Sequence, residues 1–170
     1  MTDSDRRKPD LIQPTDAEAR ALARGLVAAA RIGALAVKDP ATGHPFVSRV
    51  AVGQEGGVPL ILVSMLALHT RALLADPACA LLLGEPGPKG DPMNQPRLTW
   101  VARAEPADKA ALRDAWLAGH PKTTLYYDFP DFRLFRLTPV EGHLNGGFAR
   151  AYRLTQADLT GDPAGTPAGA

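Results

Sequence analysis

The stretch Val58-Pro59-Leu60-Ile61-Leu62-Val63-Ser64-Met65-Leu66-Ala67-Leu68-His69-Thr70-Arg71-Ala72-Leu73-Leu74-Ala75-Asp76-Pro77 decides the reading of this chain. Its first seven residues form a short apolar run, the pattern of a buried strand, and Leu68 to Asp76 reads as a helix closed by Pro77. Leu60 to Val63 is apolar on both faces, as is Ala80-Leu81-Leu82-Leu83. Such strands have one side on an interior and the other against a helix or a second subunit, which points to a dimer. Ser64, His69, Thr70 and Arg71 gather where the strand feeds the helix. Free amides and the positive dipole end at a helix start favour an anion, and these side chains add donors around a phosphate, with Ser64 near an adjoining part of the same ligand. The plainer alternative is that Thr70 only caps the helix.

Working outward, Gly33–Lys38, Pro45–Gly53, Cys79–Gly84, Arg97–Glu105 and Phe132–Leu144 are further β-compatible runs, separated by turns rich in Gly, Pro and Asp. Six strands in a small domain suggest a barrel or curled sheet. Arg97 to Glu105 alternates, with Leu98, Trp100 and Ala102 on one face and Arg97, Thr99 and Arg103 on the other. Helices are expected from Asp16 to Arg31 and from Pro106 to Gly119. Thr15-Asp16-Ala17-Glu18 has the form of a capping box at the start of the first. Residues 1–13 are polar and charged and 161–170 are almost entirely Gly, Pro and Ala, so both ends read as mobile around one domain at 14–160.

The whole chain has 170 residues, with 19 Lys+Arg against 18 Asp+Glu. That balance argues against nucleic acid as a partner. No apolar segment approaches the roughly 20 residues that span a bilayer, and the amino terminus lacks a secretory apolar core, so a cytoplasmic protein with no membrane span is expected. The single cysteine, Cys79, lies in an apolar run and reads as a buried strand thiol. His44, His69, His120 and His143 show no close metal-ligand spacing, and no metal is assigned. No Gly-x-Ser-x-Gly elbow is present, and Gly84 to Gly90 matches neither phosphate-loop fingerprint. No acid/base pair stands out, so the catalytic residues are unknown.

Arg49 sits within the otherwise apolar run Phe46 to Val52. A cation there calls for a partner to offset desolvation, either a carboxylate or a phosphate dianion. With it the chain resembles the FMN-binding split barrels related to pyridoxamine 5'-phosphate oxidase, and within them the haem-utilisation (HugZ-like) branch. The resemblance rests on Pro45-Phe46-Val47-Ser48-Arg49-Val50, on Ser64-x-Leu66-x-x-His69-Thr70-Arg71-x-Leu73-x-x-Asp76-Pro77, on Gly90-Asp91-Pro92 followed by Pro96-Arg97-Leu98-Thr99, and on Asp131-Phe132 leading to Gly146-Gly147-Phe148-Ala149-Arg150.

The resemblance implies a mainly β protein with flanking helices, a six-stranded antiparallel split β-barrel. It further implies a homodimer with flavin at the subunit interface, acting as an oxidoreductase on an unidentified small molecule. Arg49, His69, Thr70 and Arg71 occupy the positions that hold the flavin phosphate, Ser64 and Met65 border the ring system, and Arg97 contacts flavin or the partner subunit. The oxidase itself has a lysine five positions after the strand arginine and a Ser-Arg-Lys cluster. This chain has Gln54 and His-Thr-Arg there, so the resemblance implies phosphate binding without vitamin B6 oxidation. Haem binding, or a flavin module without turnover, is the alternative. His44 and His143 are its candidate iron ligands, although a histidine beside a turn is more simply solvated or hydrogen-bonded. Tyr126, Tyr127, Phe129, Phe132 and Phe135 read as packing.

Overall fold

The computed structural model describes residues 12–161. The expectation for 162–170 lies outside that range, as does that for 1–11. Ile12–Gln13 (β1), at the edge of the expected mobile leader, instead pairs in parallel with β8 (Ala151–Thr155). The remaining strands are β2 (Ile32–Lys38), β3 (Pro45–Glu55), β4 (Val58–Ser64), β5 (Ala78–Leu83), β6 (Arg97–Pro106) and β7 (Phe132–Asn145). Pairing runs β7-β4-β3-β2-β5-β6 and returns from β6 to β7, all antiparallel, so six strands close a barrel. These are the six runs read from the sequence.

The barrel is split because β7 is long. One side of β7 pairs with β6 along most of its length, while its other side pairs with β4 at Phe132–Arg136 and with β8 at Glu141–Asn145. Val140 is the extra residue of a bulge, since Val101 faces Glu141 but Ala102 faces Pro139. A bulge bends a strand and sharpens its twist, which lets one strand serve both neighbours.

Leu35, Ile61, Leu81, Leu98, Trp100 and Leu137 fill the interior. Cys79 is buried beside them, and burial with Asp76 nearby pushes its thiol up to about 11. A smaller outer core gathers Leu60, Leu62, Trp116, Tyr127 and Leu134. The outer face of β4 is therefore covered by α3 (Arg113–Gly119) and the turns after it within one chain, not by a second subunit. The face of β5 differs, because Leu82 is 45% exposed. Tyr126 packs on Phe132 with ring centres 4.7 Å apart, Tyr127 and Phe135 are buried as the packing reading expects, and Phe129 departs from it, being 53% exposed at the end of its turn.

Two local expectations are corrected. Helix α1 (Ala17–Ala29) is capped by Asp16, whose carboxylate accepts from Ala19 N at 2.8 Å, while Thr15 Oγ1 donates to the Arg153 carbonyl. The capping box belongs to α4 (Gln156–Thr160), between Thr155 and Asp158. The helix expected at Pro106–Gly119 is shorter, since β6 runs to Pro106 and Ala107 N still donates to Leu134 O. Asp108 then holds a turn by accepting from Ala111 N, which delays the helix to Arg113. Among the described residues no helix is long and apolar enough to cross a membrane.

Candidate functional site

The pleat of β3 divides the polar residues that the sequence puts side by side. Ser48 faces Leu35 across the β2–β3 ladder, and Leu35 faces Leu81, which faces Trp100, so Ser48 belongs to the interior row. One residue on, Arg49 belongs to the outer row. That row runs Arg49, Ala34, Leu82, Thr99, His143 and Arg153 across six consecutive strands. Arg49 and Thr99 are three strand spacings apart along it, roughly 14 Å. Arg97 lies two residues from Thr99 and shares its face. It donates from a terminal guanidinium nitrogen to the Met93 carbonyl at 2.9 Å, which holds its side chain on the loop before β6.

Arg49 is exposed and has neither an ion pair nor a side-chain hydrogen bond among the described residues. Its strand is half open, so the premise that a buried cation needs a counter-charge does not apply within one chain. It lines a groove of about 350 Å³ with Val47, Leu82, Gly84 and Glu85. Glu85 forms no ion pair with it. A second hollow lies beside the first, with Leu82 common to both, and is lined by Arg97, Thr99 and His143. The two together form one outer surface with the exposed Leu82 at its middle and a cation near each end.

Helix α2 (Leu68–Ala75) covers the inner side of the barrel end. Its amino terminus has no side-chain cap. Thr70 is fully buried and its hydroxyl donates to the Ser64 carbonyl at 2.6 Å, which closes the turn between β4 and α2. This removes Thr70 from the side-chain donors open to a ligand and leaves its structural reading. Ser64 Oγ donates to Asp131 at 3.2 Å and accepts from Leu66 N, so it too is engaged in the turn. Arg71 is exposed and without a partner among the described residues. Met65 lines a different cavity, between α2 and the start of β7. The sequence-derived set is thus spread over three places: Arg49 with Arg97 on the outer face, His69 with Arg71 at the helix start, and Met65 at the barrel end.

His69 was read as a phosphate donor, and the structure adds a contact that the sequence did not show. Ser48 Oγ lies 2.8 Å from His69 Nδ1. Half-burial lowers the pKa of the imidazole from its ordinary 6.5. With the serine hydroxyl donating to Nδ1, the neutral ring carries its proton on Nε2, where it is a donor. The lowered value has a stability consequence of fixed sign. Below 6.5 the unfolded chain binds a proton that the folded chain resists, so the His69 contribution is complete above 6.5 and is lost as pH falls through the lower folded value. Urea midpoints measured from pH 8 down to pH 5 should fall more steeply for the native chain than for His69→Gln. Identical slopes would show that the ring titrates alike in both states.

Of the other histidines, His44 has no side-chain partner among the described residues, while His120 and His143 each have one. His120 stacks on Trp116 with centres 4.6 Å apart and bonds the Val52 carbonyl, while His143 Nε2 lies 3.0 Å from Glu141 Oε1. Among the described residues no three of His, Cys, Asp and Glu gather as a metal site. Phe148 is 87% exposed at the β7–β8 turn, next to Ala149, which adopts a φ of 58°. Arg150 pairs with Glu18 at 2.7 Å.

No protein-family model matches the chain. It is similar to a solved haem binding protein from Mycobacterium smegmatis, with 29% identity and a TM-score of 0.78 over 88% of this chain and 62% of that one. A curated relative from Arabidopsis thaliana, a chloroplastic non-canonical heme oxygenase, is 35% identical over 116 residues, which are 65% of this chain. This chain spans about a third of that relative's length, 34%. The fold is shared with a Clostridium acetobutylicum protein of the pyridoxinephosphate oxidase family related to general stress protein 26, at 15% identity and a TM-score of 0.67, covering 85% of this chain and 99% of that one.

Proposed function

We propose, because this chain belongs to the split-barrel family of the pyridoxamine 5'-phosphate oxidase-like proteins and has haem-binding proteins among its relatives, that it is a homodimeric FMN-binding oxidoreductase. The observation that carries this reading is the outer row of the sheet. Two arginines, Arg49 and Arg97, stand on a face whose middle is Ala34, Leu82 and Thr99 and on which the described residues leave Leu82 exposed. The exposed Leu82 between the smaller Ala34 and Thr99 offers an apolar platform to a flat ring or a second copy, and a free guanidinium suits a phosphate dianion. Arg49 is the phosphate donor on this face, whereas Arg71 and the neutral Nε2–H of His69 stand apart at the start of α2 and would reach the same phosphate only from the partner subunit. Ser64 and Met65 border the ring system, and Arg97 contacts the flavin or the partner subunit. FMN, when bound, supplies the capacity to accept a hydride or electrons. The chain's own part is to bind the anionic tail, orient the ring and exclude water between two subunits.

Titration of the purified protein with FMN tests the site. Arg49→Ala and Arg71→Ala should each weaken binding by about 1.5–3 kcal/mol, on the order of 10- to 150-fold, whereas Arg24→Ala, an exposed cation on α1, should not. Unchanged curves for both variants would sink the proposed cup. Light scattering should give a dimer, and Ala80→Glu on the open face of β5 should yield monomers.

Haem is the second reading, favoured by His143. This residue is exposed in the same outer row, between Thr99 and Arg153, and shares its hollow with Arg97 and Leu82. A visible spectrum of the untreated protein separates the two, since flavin and haem absorb in different bands. A colourless protein that responds to neither ligand would defeat both.

A further inference from the structure

At the end of the barrel farther along α2, a cavity of about 410 Å³ opens between that helix and the start of β7. Ligand sites in proteins are usually hollows of about 300–1,000 Å³, mostly apolar, with a few fixed polar groups. This one has that make-up. Met65, Leu74, Phe132 and Phe135 give it an apolar wall, and among the described residues Lys109 and Arg133 are the charged ones that line it.

The two cations differ in a way that suits recognition. Lys109 Nζ donates to the carbonyls of Phe129 and Phe132, each at 2.9 Å, and lies 5.4 Å from the centre of the Tyr127 ring, so it is held in place. Arg133 is exposed and has no hydrogen-bond or ion-pair partner among the described residues. The carboxylate in the adjoining turn, Asp131, accepts from Ser64 Oγ–H at 3.2 Å. We infer that this cavity is a binding site for a compact aromatic monocarboxylate, its ring against Phe132, Phe135 and Leu74 and its carboxylate on Arg133. Guanidinium and carboxylate match as a bidentate pair, and the fixed Lys109 adds positive potential without needing to move. Met65 is the one residue shared with the proposed flavin site, so the inference stands whether or not FMN binds.

Calorimetric titration of the full chain with 2-naphthoate, and with 2-naphthylmethanol as its neutral counterpart, reads this out. The acid should bind at least tenfold more tightly than the alcohol. Arg133→Gln should remove that preference while leaving the alcohol within about twofold, and Leu74→Glu, at an exposed rim position, should weaken the acid by a similar factor. Arg103→Gln serves as the charge control, and equal melting temperatures confirm that the variants fold. The inference is overturned if neither probe binds, if acid and alcohol bind alike, or if Arg133→Gln behaves as Arg103→Gln does. A parallel fall in FMN affinity in Arg133→Gln would merge the cavity with the flavin site and overturn its independence, whereas failure of FMN binding alone leaves it standing.

Discussion

Replacing Trp100 with alanine is expected to lower the unfolding free energy by about 3–5 kcal/mol, the range for emptying a large aromatic site in a packed core. The indole is fully buried and faces Leu81 across β5–β6. Its Nε1–H donates to the Leu137 carbonyl at 2.9 Å, although the ladder sets Trp100 opposite Gly142. The bond therefore spans the bulged stretch of β7, where regular pairing is interrupted. Losing it removes a buried hydrogen bond, a further cost of about 1 kcal/mol. Small domains are stable by only about 5–15 kcal/mol in total, so this variant should sit near its unfolding transition at room temperature. Trp100→Phe separates the causes, since it keeps most of the volume and loses only the donor. Urea denaturation of both variants is the measurement, and a loss below about 1 kcal/mol for alanine would contradict the packing account.

The second large effect is expected at Gly84. Its φ is +99°, and a Cβ there would lie 2.5 Å from the Pro96 carbonyl oxygen and 2.9 Å from Arg97 Cα. Both obstacles are backbone, so no rotamer change relieves them. Strain of about 1–3 kcal/mol for the backbone conformation adds to an overpacking cost of similar size, giving roughly 2–5 kcal/mol for Gly84→Ala. Gly90→Ala is the control, because its φ is +84° but nothing lies within 4 Å of the added atom, so it should cost only about 1 kcal/mol. Equal losses in the two variants would remove the steric argument. Gly84 and Glu85 also wall the groove beside Arg49, so any folded Gly84→Ala protein should bind FMN less tightly than Gly90→Ala does.

Much of the fold was legible because the strands carry their own signals. Val58–Ser64 is the observed β4 to the residue, and the alternation of Arg97 to Glu105 anticipated a buried Trp100 beside an outward Thr99. The short β8 was not read, since Ala151–Thr155 is a strand mainly because β7 offers it an edge. The cap of α1 was assigned one residue early. Thr15 and Asp16 both qualify chemically, and only the nearness of the Arg153 carbonyl decides which side chain is free to cap.

For the site, the residue types were readable and their grouping was not. Ser64, His69, Thr70 and Arg71 cluster in sequence, yet Thr70 turns inward onto the Ser64 carbonyl and Arg71 stays out in solvent. Ser48 stands in no local signature, and its partner proves to be His69, which lies 21 residues away. No local pattern encodes that contact.

By itself the amino-acid order settled the strand and helix periods, the apolar interior and the presence of basic side chains around the β4–α2 join, because periodicity and side-chain chemistry are local properties. The tertiary structure alone decided that the barrel closes through β7, that β4 is covered by its own chain while β5 is open, and that Arg49 shares a face with Arg97 and not with His69. Those outcomes depend on strand register and the pleat, where a shift of one residue reverses every face, and register is set by pairing between segments far apart in the chain.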